Sequence, residues 1–163
     1  MELTPDHWFV ARVLEAVRVH YADRLASMAV FGSVARRTAR IDSDLDLLLV
    51  VDELPVGRGA RLATFRPIEE ALEDSLRDLA RSGIETELMP VLRTPAELRT
   101  HTPLMLDLTQ DAVILQDRDG VLAASLDDLR ARLARLGSRR VWDGDGWYWD
   151  LKPDFRRGEI VEI

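Results

Sequence analysis

The sequence predicts an α/β domain, and three observations lead there. Segments with apolar residues at helical spacing alternate with short, continuous apolar runs that suit strands covered on both faces. Helix-starting Thr-Pro and Pro residues and helix-ending glycines punctuate those segments. The 163 residues, 47% hydrophobic and 31% charged, fit one soluble domain large enough to bury a real core.

The elements follow in order. Thr4-Pro5-Asp6 is a helix start, with Thr4 as N-cap and Pro5 in the first turn, and Phe9, Val10, Val13, Leu14, Val17 and Tyr21 then recur at helical spacing. Ser27–Phe31 reads as a short buried strand, followed by a Gly32-Ser33 turn and a helical turn through Val34–Thr38. Leu45–Val51 is a second strand. Leu45, Leu47 and Leu49 take one face and Leu48 and Val50 the other, so this strand is central. After a Pro55–Gly59 loop, Pro67 starts an amphipathic helix with Ile68, Leu72, Leu76 and Leu79 inward, stopped by Gly83. Ile84–Leu92 is a third strand, and Thr94-Pro95-Ala96-Glu97 is a capping box opening a short helix. Pro103–Leu108 forms another helix, Ala112–Gln116 a short strand and Asp117–Gly120 a turn. Leu122–Leu136 is a last helix ended by Gly137. Residues 1–137 thus form the domain, and 138–163 a turn-rich, tryptophan-rich tail packed on that domain or on a second subunit of a homo-oligomer.

Composition removes several classes of function. Without cysteine there are no disulfides, thiolate metal sites or cysteine nucleophiles. A net charge of -7 argues against sequence-independent nucleic-acid binding. No apolar stretch reaches membrane-spanning length, and MELTPDHW lacks a basic region followed by a hydrophobic one. The expected location is the cytoplasm, with no membrane partner. Lys152 is the only lysine; this arginine skew says little about mechanism.

The chemistry concentrates in Val30–Glu53, VFGSVARRTARIDSDLDLLLVVDE. A Gly-Ser pair closes one apolar run, and ten residues later Asp44 and Asp46 stand at the mouth of the next. Side chains alternate along a strand, so the two carboxylates leave one face and can share a cation. A calcium loop is excluded: Leu47 occupies the position needing glycine, and an unbroken Leu/Val run follows. A plain acidic strand entry is the bland alternative, but two like charges on one face of a core strand repel unless a cation or arginine relieves them. Gly32 permits close backbone approach to a ligand, and Ser33 offers an amide and a hydroxyl to phosphate oxygens. Asp44 and Asp46 supply hard oxygen ligands for Mg²⁺ (or Mn²⁺), which completes its shell with water and substrate phosphate.

The string GSVARRTARIDSDLDLLLV resembles the signature of the DNA polymerase β-type nucleotidyltransferase superfamily, in particular its small standalone minimal nucleotidyltransferases. The resemblance spans about Val30 to Leu92. It implies a small mixed β-sheet flanked by helices, with Asp44 and Asp46 as catalytic metal ligands and Gly32 and Ser33 at the nucleoside triphosphate. The family pattern GSxARG departs here, where Arg37 replaces the glycine. A third carboxylate is also implied on a following strand. Glu85 and Glu87 both offer one, Glu87 being preferred as nearer the strand's middle, against the alternative of a merely solvated strand face.

Other residues carry weaker signals. His7 and His20 read as surface or boundary residues of the first helix, and His101 shows no ligand spacing. Arg36 and Arg37 read as a solvated charge pair beside the phosphate site, with steering of a triphosphate as the alternative, and the arginines of Leu122–Leu136 are too mixed with acids to bind nucleic acid. In the tail, WDGDGWYWDLK suggests a hairpin. Its tryptophans either pin the tail down or line a base or acceptor pocket with Lys152 near phosphate.

By resemblance, the function is metal-dependent transfer of a nucleoside monophosphate, AMP from ATP in the first instance, to an unidentified hydroxyl acceptor. The alternatives are an antitoxin-like protein that binds and modifies a helical toxin partner, and a nucleotide-binding protein that has lost catalysis.

Overall fold

In the computed structural model, residues 2–144, 146–157 and 159–160 are described. The chain runs α1 (Trp8–Tyr21), β1 (Leu25–Val30), α2 (Gly32–Ala35), β2 (Leu45–Val51), α3 (Arg58–Arg81), β3 (Leu88–Arg93), α4 (Pro103–Asp111), β4 (Val113–Asp117), α5 (Val121–Leu136) and a hairpin, β5 (Arg139–Asp143) with β6 (Gly146–Asp150). Residue 145, within the segment expected to form a hairpin, lies outside the described residues, as do 1, 158 and 161–163.

The main sheet has the order β3-β2-β1-β4. β1 is antiparallel to β2 and β4, whereas β2 and β3 run parallel, as a connection through the long helix α3 permits. The sheet is therefore mixed, as expected. β2 is central, and its two faces do separate: Leu45, Leu47, Leu49 and Val51 join one core with α1 and α3, while Leu48 and Val50 join a second with α4 and α5. All six residues of β1 are buried.

Several boundaries differ from the sequence expectations. The first helix starts not at Thr4 but after His7, whose Nδ1 accepts the Phe9 N–H at 3.2 Å. His7 is buried, not a surface residue, and burial lowers its pKa. Helix α3 does not begin at Pro67; it begins at Arg58 and carries Pro67 inside. The apolar stripe continues back through buried Phe65 and half-buried Leu62, and that burial outweighs the ~3 kcal/mol an interior proline costs. The third strand starts at Leu88 rather than Ile84. Residues 84–87 instead bind the loop before β2: the Glu85 N–H donates to the Ile41 carbonyl at 2.7 Å and the Thr86 hydroxyl to the Ser43 carbonyl at 2.8 Å. Pro90 fits β3 because that strand lies at the sheet's edge. Helix α4 extends past Leu108 to Asp111.

The expected Thr94–Glu97 capping box forms, on a 3₁₀ turn. Glu97 accepts the Thr94 N–H at 2.9 Å and two Arg61 N–H groups at 2.8 and 2.9 Å, which ties α3 to the segment after β3. Hydrogen bonding to Arg61, then to Thr94, lowers the Glu97 pKa to about 2. This contribution is present above the ordinary glutamate pKa and is lost as pH falls from about 4.5 toward 2. Glu97→Gln is expected to cost about 1–2 kcal/mol at pH 7, after allowing for solvent screening of its exposed third. Denaturant titrations of the two proteins should converge near pH 2.

Candidate active site

Antiparallel pairing of β1 with β2 brings the end of one strand to the start of the other. Val30 pairs with Leu47, and the Phe31 N–H donates to the Asp46 carbonyl at 3.1 Å. Gly32 therefore meets the side chain of Asp46. A Cβ built on Gly32 would lie 2.0 Å from Asp46 Oδ2, and Gly32 also has a φ of +69°. Both facts favour glycine: the positive φ strains any other residue, and a Cβ would displace the Asp46 carboxylate. The bare Cα leaves room for the carboxylate at the mouth of the small helical turn α2.

Around this point opens a cleft of about 460 Å³, lined by Gly32, Ser33, Asp44 and Asp46 together with Arg36, Asp107, Asp111 and Trp147. The four residues expected at the phosphate and metal site are thus together. Burial raises the Asp46 pKa above the usual aspartate value, the charge of Asp44 raises it further, and Arg36 opposes the rise. The two carboxylates bring hard oxygen donors and no nitrogen or sulfur, a set that suits Mg²⁺ completed by water and phosphate oxygens. Among the described residues no three His, Asp or Glu side chains form a ready-made cage.

Glu87 does not line this cleft. It lies just before β3, where its carbonyl accepts the Leu45 N–H at 2.9 Å. The parallel register continued back one step sets it beside Asp44, and these two share a neighbouring cleft with Glu85 and Asp42. Arg36 is not the solvated residue expected: it ion-pairs with Asp111 at 3.2 Å and sits over the Trp147 ring at 4.8 Å. Arg37, in the position of the family's glycine, has a φ of 58° and pairs with Asp6 away from the cleft. Lys152 pairs with Glu159 and lies outside the cleft lining.

Sequence reasoning missed Asp107 and Asp111. They stand four residues apart, on one helix face, but an expected helix end at Leu108 hid the pairing. Both carboxylates are held by partners. Asp107 accepts the indole N–H groups of Trp147 at 2.7 Å and Trp149 at 2.9 Å. Asp111 accepts from Arg36 at 3.2 Å and Arg140 at 2.7 Å. Trp149 and Leu151 also pack against the second core.

The sequence profile of the nucleotidyltransferase domain matches residues 10–106, which contain the Gly-Ser turn, both aspartates and Glu87. The chain belongs to the nucleotidyltransferase domain family. A Methanocaldococcus jannaschii protein named as a candidate protein adenylyltransferase is 30% identical over 125 residues, covering 76% of this chain and 80% of that protein. Among solved structures, a toxin–antitoxin with AMP-PNP aligns at a TM-score of 0.46 and 14% identity, covering 78% of this chain and 91% of that one. The MntA-HepT toxin–antitoxin aligns at 0.43 and 12%, covering 80% and 92%. Family and relative together make this nucleotidyltransferase an enzyme of nucleotidyl transfer, and no helix among the described residues is long and apolar enough to cross a membrane.

Two outcomes test the Gly32–Asp46 contact. Because the folded protein holds the Asp46 pKa above its unfolded value, ionising Asp46 weakens the fold as pH rises through the folded pKa. Asp46→Asn should therefore raise the melting temperature in metal-free buffer at pH 7, and the advantage should vanish below the ordinary aspartate pKa. Gly32→Ala should cost about 1–2 kcal/mol through its positive φ. Any rise in melting temperature that added Mg²⁺ gives the parent protein should be absent in Gly32→Ala.

Proposed function

We propose that the protein transfers AMP from ATP to a hydroxyl group on a protein acceptor, with Mg²⁺ at Asp44 and Asp46 and the triphosphate against Gly32 and Ser33. The observation that carries this reading is the abutment of Gly32 on the Asp46 carboxylate inside a cleft of nucleotide size. The choice of adenosine and of a protein acceptor rests on the name of the archaeal relative.

Of the acidic residues in and beside the cleft, Asp107 and Asp111 are committed to indole and guanidinium donors. Asp44 and Asp46, which enter the cleft from the start of β2 beside Gly32, are the pair assigned to the cation. When bound there, Mg²⁺ would offset phosphate charge and polarise the α-phosphate. In this reading the Ser33 amide and hydroxyl orient phosphate oxygens, and Arg36 adds the one positive charge among the cleft-lining residues. Glu87, beside Asp44, is the third carboxylate and takes the proton of the acceptor hydroxyl. That oxygen bonds to the α-phosphorus as the bond to the bridging oxygen breaks, and pyrophosphate leaves. Alignment and electrostatics supply most of the acceleration, so few residues suffice.

The test is transfer of label from α-labelled ATP with Mg²⁺ to proteins of a source-organism lysate. Wild type should label a discrete acceptor, and Asp44→Ala or Asp46→Ala should abolish labelling without loss of fold. Glu87→Gln should slow transfer by about 10²-fold or more while ATP affinity holds. A change below about threefold would remove Glu87 from the mechanism. Label that persists in both aspartate variants would refute the site.

A further inference from the structure

The matched family profile ends at residue 106, yet part of the cleft wall comes from beyond it, from α4 and the β5–β6 hairpin. Arg36 is the one cation among the cleft-lining residues, against five aspartates, Asp42, Asp44, Asp46, Asp107 and Asp111. Alone with Asp111, Arg36 would be a neutral pair with little attraction for a polyanion. Asp111, only 7% exposed, is instead shared with Arg140, which holds the same oxygen Oδ2 at the shorter distance, 2.7 Å against 3.2 Å. The three side chains carry a net charge of +1, and the half-buried Arg36 is the member that lines the cleft.

Trp147 completes the arrangement. The Arg36 guanidinium lies 4.8 Å from its ring centroid and that of Arg140 5.1 Å, while Trp142 meets it edge-on with centroids 5.1 Å apart. Its indole N–H is fixed by Asp107. A ring already carrying two guanidinium groups is a support for arginine and not a free stacking surface for a base.

We propose that the C-terminal hairpin, through Arg140 and Trp147 acting with Asp111, fixes the position and frees the charge of Arg36, creating a triphosphate-binding contact in the nucleotidyltransferase cleft. Arg140, Trp147 and Asp111 are positioning residues. The contribution is to binding of the phosphate chain and not of the nucleoside. This inference rests on the proposed use of a nucleoside triphosphate.

The test compares affinities for Mg-ATP and for adenosine, by titration calorimetry, in the full-length protein and three variants. Arg140→Gln leaves Asp111 to neutralise Arg36 and should weaken Mg-ATP by about tenfold while adenosine affinity holds. Arg140→Lys retains the charge and should recover most of the loss. Arg140→Gln combined with Asp111→Asn removes both members of the balancing pair and should also recover most of it, an outcome that mere loss of hairpin packing does not produce. Equal weakening of ATP and adenosine overturns the proposal, as does an unchanged ATP affinity in Arg140→Gln. Failure of the double variant to exceed Arg140→Gln also overturns it. A wild-type protein that binds adenosine and ATP equally, or neither, overturns the functional reading and this inference together; one that prefers ATP while Arg140→Gln matches it overturns this inference alone.

Discussion

The site depends on one missing methyl group. With no Cβ at Gly32, the Asp46 carboxylate occupies the space a side chain would take, and the backbone there adopts a conformation that other residues resist. The contact is fixed from both sides by the β1–β2 ladder, through the Val30–Leu47 pairing and the Phe31–Asp46 hydrogen bond. A carboxylate held half-buried beside another carboxylate is a stored electrostatic cost. Such a cost persists where a cation or a substrate offsets it in the working state.

The central strand β2 connects that cost to the rest of the fold. One of its faces anchors the core of α1 and α3, and the other looks toward α4 and α5. Asp44 and Asp46 stand where β2 emerges from burial. A strand buried on both faces cannot slip in register without exposing an apolar row. The placement of the two carboxylates is thereby locked by hydrophobic packing and not by hydrogen bonds among the acidic residues themselves.

Local patterns in the sequence were enough for β2, the Gly-Ser turn and the Asp44–Asp46 pair, because each is encoded within a few neighbouring residues. The capping box and the ends of α3 and α5 at Gly83 and Gly137 were readable for the same reason. Reading failed where tertiary contacts overrode a local rule. Pro67 looked like a helix start, yet burial of Phe65 carries α3 through it. Glu85 and Glu87 alternate as in a strand, yet their backbone is taken by the loop at Ile41–Leu45. Arg36 looked solvated because its partners Asp111 and Trp147 are remote in sequence. No periodicity reports a contact of that kind.

The brace formed by the hairpin also dictates when the cleft becomes whole. Gly32, Ser33 and both aspartates leave the ribosome before Trp147, which belongs to β6, more than a hundred residues later. Domains begin to fold from the N-terminal side during synthesis. A nascent chain that has emerged only through α5 displays the acidic half of the site without the arginine and tryptophan supports. Full electrostatic balance is reached only once β6 has followed α5 out of the ribosome.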